Sequence, residues 1–364
     1  MKHLAKLYLS IFLLLSFSAC EESVPSIIEE PDTQEEQIGL FLDNAIDFGI
    51  APLITQLENE SAQLESALAG IENTTGQIEL APAREAWLAM SKLLIRMEVL
   101  DVDQELDKSR ILANYRSPRL EGIEEDLAAA TVVDRNFINT SIFDPMYTIE
   151  YLVFDEDGSD VAALLQNQEK RRDLLAGLGS FVSEGVQAYQ DKWEAKKASL
   201  KVQSGPIHDR GFGRISAVAL NFIDDSRKHR LMLPLGLIWG DEININIDRL
   251  EAFRSENSLI LLKEGFSTWK EAFFGTYQNS SSNYGFDDYL VFLEQQELLT
   301  SIDEAIQNVD TKLAALTILK EDLVNQTEKV VELNDALKEL LVLLHVDMAS
   351  IMQIPLIFQE CDCD

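Results

Sequence analysis

Long runs of apolar residues spaced three and four positions apart constrain this chain more than any other feature of its sequence. Between Asp322 and Met352, the residues Val330, Leu333, Leu337, Leu340, Leu341, Leu344 and Met348 fall on one side of a helix, forming a broad face that other helices must cover. The same period recurs at Leu40, Phe41, Ala45, Phe48, Ile54, Leu57, Leu64 and Leu68, and again at Trp87, Met90, Leu94 and Met97. From Val161 to Trp193 it predicts one long helix with Leu164, Leu174, Leu178, Phe181, Val182, Tyr189 and Trp193 inward. Strand signals are sparse, so the pattern predicts an all-α fold built as helix bundles. A chain of 364 residues, 46% of them apolar, can bury one or two substantial cores.

Breaks in the period give the organisation. Pro52 lies inside the first run and should kink it or end its first half, because it lacks a backbone donor and crowds the preceding turn. Pro82 opens a run from Ala81 to Val102 and suits a first helical turn. Ser204-Gly205-Pro206 interrupts the pattern and marks a boundary between an N-terminal bundle, 37–203, and a C-terminal bundle, 204–364. The second half is expected to hold helices at Arg214–Leu231, over Tyr284–Leu319 and over Asp322–Met352, with another announced by Ser255-Glu256-Asn257-Ser258 and carrying Leu261, Leu262, Phe266, Trp269 and Phe273. An approximate internal repeat relates the halves: Glu150-Tyr151-Leu152-Val153-Phe154 is echoed by Asp288-Tyr289-Leu290-Val291-Phe292.

Residues 1–19 read as a secretory signal, with Lys2 and Lys6 before an apolar stretch and Ser18-Ala19 before Cys20. That ending is of the lipoprotein type and predicts a lipid on Cys20; cleavage after Ala19 without lipidation is the alternative, which mass spectrometry of the mature N-terminus distinguishes. Residues 20–36 are acidic and poor in apolar groups, which predicts a flexible tether holding the folded part off a membrane. A formal net charge of −33 excludes nucleic acid and anionic lipid surfaces as partners, leaving the lipid anchor as the membrane contact. Cys361 and Cys363, at the end of the chain, could pair, hold a soft metal or stay reduced.

The chemistry-bearing stretch is Asp144 to Phe154, followed by Asp155-Glu156-Asp157-Gly158. Asp144-Pro145 predicts a cap and a first-turn proline, so Glu150 lies one turn into a helix and shares a face with Tyr147. Calcium loops of the helix-loop-helix type are excluded, because the glycine falls at the fourth position of the acidic run and Gln166 stands where the final ligand would. No His-Glu-x-x-His, Gly-x-Ser-x-Gly, phosphate-loop or haem-attachment motif is present. Beyond the signal, the histidines are His208, His229 and His345, none at metal-ligand spacing from another. What remains is carboxylate: Glu150, Asp224, Asp225, Asp241, Glu242, Glu251, Asp287 and Asp288, an oxygen set suited to hard ions such as ferric iron or calcium.

Taken in order, Ala83-Arg84-Glu85-Ala86-Trp87, Pro145 to Phe154, Leu233-Pro234-Leu235-Gly236, Leu250-Glu251-Ala252-Phe253-Arg254-Ser255-Glu256-Asn257-Ser258 and Gly285-Phe286-Asp287-Asp288-Tyr289-Leu290 resemble the imelysin-like proteins, also grouped as peptidase family M75. The resemblance implies two helical bundles, a periplasmic or cell-surface lipoprotein of the outer membrane, and a part in bacterial iron uptake. It also implies a metal site at Gly-x-His-x-x-Glu, of which this chain keeps only Glu150; Pro145 replaces the glycine and Tyr147 the histidine. Without the imidazole, the expectation is a non-catalytic protein with no catalytic residue, binding an iron-related ligand or an envelope protein partner in the cleft between its bundles. The binding residues expected are Tyr147, Glu150, Arg84, Glu251, Ser255, Asp287 and Asp288, with Glu150 and Tyr147 also the candidates for holding iron as phenolate and carboxylate. The alternatives are a metal-dependent peptidase and a structural or adhesive surface lipoprotein.

Overall fold

A computed structural model describes residues 33–71, 79–102, 122–140, 144–154, 160–204, 206, 210–238, 240 and 242–354. Among them there is no strand; helices carry the whole architecture. Cys20, Asp155 to Asp157, His208, Asp241, Cys361 and Cys363 lie outside the described residues.

The first helix, α1 (Gln34–Asn44), starts inside the segment expected to be tether. Thr33 and Glu36 form a capping box: the Glu36 N–H donates to Thr33 Oγ1 at 3.3 Å, and the Thr33 N–H donates to Glu36 Oε2 at 3.0 Å. These two bonds satisfy otherwise orphaned donors and let an acidic, weakly apolar sequence begin a helix. A π turn, Ala45–Ile50, then joins α1 to α2 (Ala51–Ala69). Its wider hydrogen bonding, with the Ala51 N–H reaching back to Ile46 O, places Pro52 in the first turn of α2, where a missing donor costs little. The span Gln34–Ala69 is apolar enough to cross a membrane by length and composition, but 56% of its most apolar window is buried inside the protein, as in a core helix.

Helix α2 packs between α3 (Ala81–Glu98) and the long α8 (Glu169–Leu200). Three short helices lie between these in sequence: α4 (Ile123–Ala129), α5 (Arg135–Thr140) and α6 (Pro145–Val153). The long helix expected from Val161 to Trp193 is two, α7 (Val161–Asn167) and α8, divided at Gln168. Gln168 has an extended backbone, and its Oε1 accepts from Arg171 Nε at 2.7 Å, so the backbone turn at this residue ends what the period alone would have continued.

The second half opens with α9 (Gly211–Asp225), which a π turn, Ser226–Met232, carries on into the short α10 (Leu233–Leu235). A Cβ on Gly211 would sit 1.8 Å from Leu200 O, so only glycine lets the end of α8 and the start of α9 approach this closely. Then follow α11 (Ser258–Phe273), α12 (Phe286–Phe292), α13 (Gln296–Ala314), α14 (Leu319–Asn325), α15 (Thr327–Val342), a π turn at Leu343–Met348 and α16 (Ala349–Met352). The helix expected over Tyr284–Leu319 is interrupted after Phe292, where Glu294 takes a left-handed φ of 60°. Helices α13 and α15 pair in the C-terminal half, while α3 packs along α11, bringing the halves together. One contiguous set of buried apolar side chains extends from Ile38 to Ile354.

Candidate functional site

Helix α6 is buried at every position but Tyr151, and its sequence explains why it forms. The Asp144 side chain accepts from the Tyr147 N–H at 2.8 Å, Pro145 occupies the first turn, and the apolar residues behind them are covered on all sides. Helix α3 holds both ends. Trp87 Nε1 donates to Met146 O at 2.9 Å, and Arg84 Nε donates to Val153 O at 2.6 Å while its guanidinium lies 5.3 Å from the Phe154 ring. Arg84 therefore caps the C-terminal carbonyls of α6, a favourable place for a cation.

Glu150 is 0% exposed. Its Oε1 accepts from the Ser255 N–H at 2.9 Å, and its Oε2 has no hydrogen-bond partner. Burial pushes the carboxyl up to about 7, against the opposing pull of the Ser255 hydrogen bonds and the Arg254 charge.

The segment from Leu250 to Asn257 supplies those groups from the second half. Ala252 and Glu256 have φ of 54° and 59°, left-handed values that cost a non-glycine residue about 1 kcal/mol or more each. The segment closes on itself, with Asn257 N–H donating to Ala252 O at 3.2 Å and Ser255 Oγ donating to Ala252 O at 3.1 Å. Its root is an ion cluster: Arg230 Nε donates to Glu251 Oε2 at 2.6 Å, Arg230 Nη2 to Glu251 Oε1 at 3.3 Å, and Nη2 also to Glu98 Oε2 at 2.7 Å. Arg230 and Glu251 are each about 1% exposed, and the pairing with Glu251 and Glu98 raises the already high arginine value despite burial. Such a triad is stable only while complete.

Arg254 completes the site. Its Nη1 donates to the Tyr147 hydroxyl at 2.9 Å, and its guanidinium carbon lies 4.3 Å from the Phe253 ring, 4.9 Å from Tyr151 and 5.3 Å from Tyr147. The Tyr151 hydroxyl donates to Glu124 at 2.5 Å, and Arg171 pairs with the same carboxylate.

The structure thus brings Tyr147, Glu150 and Ser255 together, with Glu251 at the root of the segment and Arg84 at the end of α6. Asp287 and Asp288 belong to α12, which packs on α1, α11 and α13. Asp288 Oδ2 accepts from the Gly285 N–H at 3.0 Å as a first-turn cap, whereas its counterpart in the sequence echo, Glu150, is a fully buried acid in its helix's second turn. Asp287 is pushed up to about 7 by burial and by the charge of Asp288. Among the other candidates, Asp224 pairs with Arg227 and Lys228, and His345 Nε2 lies 3.2 Å from Leu220 O, with burial lowering its basicity.

Sequence reasoning missed Arg254 and Arg230. Arg254 stands in the quoted run Leu250 to Ser258, and Arg230 was hidden in the basic cluster Ser226 to Arg230. An arginine directly behind apolar residues, as in Ala252-Phe253-Arg254, was the available signal for a buried cation.

A metal ion does not fit these residues. The Tyr147 oxygen already accepts from a guanidinium, whose positive charge stands against a second cation, and no group of three or more His, Cys, Asp or Glu side chains converges among the described residues.

Residues 50–345 match the family model for imelysin, peptidase family M75. An imelysin-like protein from Psychrobacter arcticum has a similar structure, at 13% identity and a TM-score of 0.68, over 90% of this chain and 99% of that one. A protein named as an iron-regulated protein A precursor, from Parabacteroides distasonis, aligns at 14% identity and a TM-score of 0.66, over 89% and 97% of the two chains. No curated protein matches the sequence.

Proposed function

Given that this chain belongs to the imelysin family, we propose that it is a non-catalytic envelope protein, anchored by a lipid on Cys20, that engages a protein partner through the Glu150 site in iron uptake. The observation that carries this reading is the Arg254 to Tyr147 bond at 2.9 Å, which fills the position of the family's signature histidine with a phenol already bonded to a guanidinium. A phenol bonded to a guanidinium does not take the imidazole's place as a proton shuttle, and among the described residues no group of three metal-ligating side chains includes Glu150. The part in iron uptake rests on family membership and on the name of the Parabacteroides distasonis relative.

The test has two arms on the full mature chain. Casein incubated with the protein and zinc should remain intact, and cleavage that Glu150→Gln abolishes would establish the peptidase instead. A photo-crosslinking residue at Glu256, on the exposed rim of the segment, should capture one discrete envelope protein in iron-starved cells. An absence of adducts there, with normal expression, removes the partner reading.

A further inference from the structure

The contents of the site point to the chemistry of its ligand. Three rings, Phe253, Tyr151 and Tyr147, surround a single cation at 4.3, 4.9 and 5.3 Å, the arrangement by which aromatic cages recognise organic cations. A phenol oxygen accepts one guanidinium N–H, and a buried carboxyl accepts at 2.9 Å from the N–H of Ser255, the residue next to Arg254. Such a set matches the planar fork of donors on arginine. The group inside it is the protein's own Arg254, 7% exposed.

Two features distinguish this arrangement from a purely structural arginine. First, the cage keeps an unused acceptor: Glu150 Oε2, fully buried, has no hydrogen bond. Second, the segment that carries Arg254 is strained. Left-handed Ala252 and Glu256 lie on either side of it, while Arg230 pins the root of the segment at Glu251. Tyr151 is the half-buried wall, so the cage has one side near solvent.

We propose that Arg254 is an internal surrogate ligand, and that the cage of Tyr147, Tyr151 and Phe253 beside Glu150 is a receptor for an arginine side chain that a partner protein inserts in its place. This rests on the reading that the site serves a protein partner. The net charge of −33 favours a basic partner, because the field of the whole protein draws cationic surfaces toward it.

Removing the surrogate tests the idea. Isothermal titration of the full mature chain carrying Arg254→Ala should show one saturable site for methylguanidinium and for the tripeptide Gly-Arg-Gly, at least tenfold tighter than in the unaltered protein. Adding Glu150→Gln should weaken that binding about tenfold, since Glu150 supplies the unused acceptor. Methylurea, neutral and of similar shape, should not bind. Where Arg254→Ala alone fails to fold, methylguanidinium should restore its thermal transition and methylurea should not. A folded variant without a saturable site, equal binding of methylurea, or an unfolded variant that methylguanidinium does not restore would each overturn the proposal. Binding of methylguanidinium without Gly-Arg-Gly would remove the partner's arginine and leave a pocket for a free small molecule. Cleavage of casein by the unaltered protein would end the non-catalytic reading without changing these titrations.

Discussion

Replacing Glu150 by glutamine should change how stability responds to pH, and the size follows from its surroundings. The carboxyl ordinarily titrates near 4.5, and burial raises it to about 7 in the fold. Between those values the native state holds a proton that the unfolded chain has released. Stability therefore falls as pH rises through this window, is fully present below about 4.5, and stays at the lower level above about 7. A shift of this size corresponds to about 3 kcal/mol, with no allowance needed for solvent because the group is wholly buried. Glutamine keeps a carbonyl for the Ser255 N–H and does not titrate. Urea unfolding of both proteins from pH 4.5 to 8.5 should show the glutamine variant gaining about 3 kcal/mol on the parent across the range. Asp287 titrates in the same window in both proteins and cancels in the difference. A difference independent of pH, or one favouring the parent as pH rises, would refute the description of Glu150 as a desolvated acid.

Further expectations concern the supports of the site. Arg230→Met should cost about 3 to 5 kcal/mol in urea unfolding, because it strands Glu98 and Glu251 without their cation. Ala252→Gly should raise stability by up to about 1 kcal/mol by removing left-handed strain, while leaving the circular dichroism spectrum unchanged. Trp87→Phe, which leaves Met146 O without its donor, should cost about 1 to 3 kcal/mol by the same assay. Gly211→Ala should lower the thermal midpoint sharply, since its Cβ would overlap backbone at Leu200; an unchanged midpoint would contradict the close approach of α8 and α9.

The helical architecture was legible because the apolar period is long and repeated, and no alternating run competes with it. The breaks were less so. Gln168 interrupts a continuous period through its own backbone and its bond to Arg171, and the π turns at Ala45–Ile50 and Ser226–Met232 shift the winding without disturbing the apolar pattern enough to announce themselves. At the site, Asp144, Pro145 and Glu150 could be read locally, as cap, first turn and buried acid. The Ser255 bond to Glu150 spans 105 residues of sequence, and the Arg254 bond to Tyr147 spans 107, so neither the hydrogen bond nor the caged cation had a local signature. The echo of acid-Tyr-Leu-Val-Phe was real in sequence, but helix position gives the two acids different work: Glu150 is enclosed, while Asp288 caps its own helix.

The central claim is that a phenol bonded to a guanidinium stands where the family signature would place a histidine. Titration of ferric iron and zinc, separately, into the unaltered protein and into the Tyr147→His, Arg254→Ala double variant tests it most directly. The account predicts no Glu150-dependent saturable site in the unaltered protein and a single new site in the double variant, which regains an imidazole and loses the competing charge. A one-site isotherm for either metal in the unaltered protein, abolished by Glu150→Gln, would contradict it.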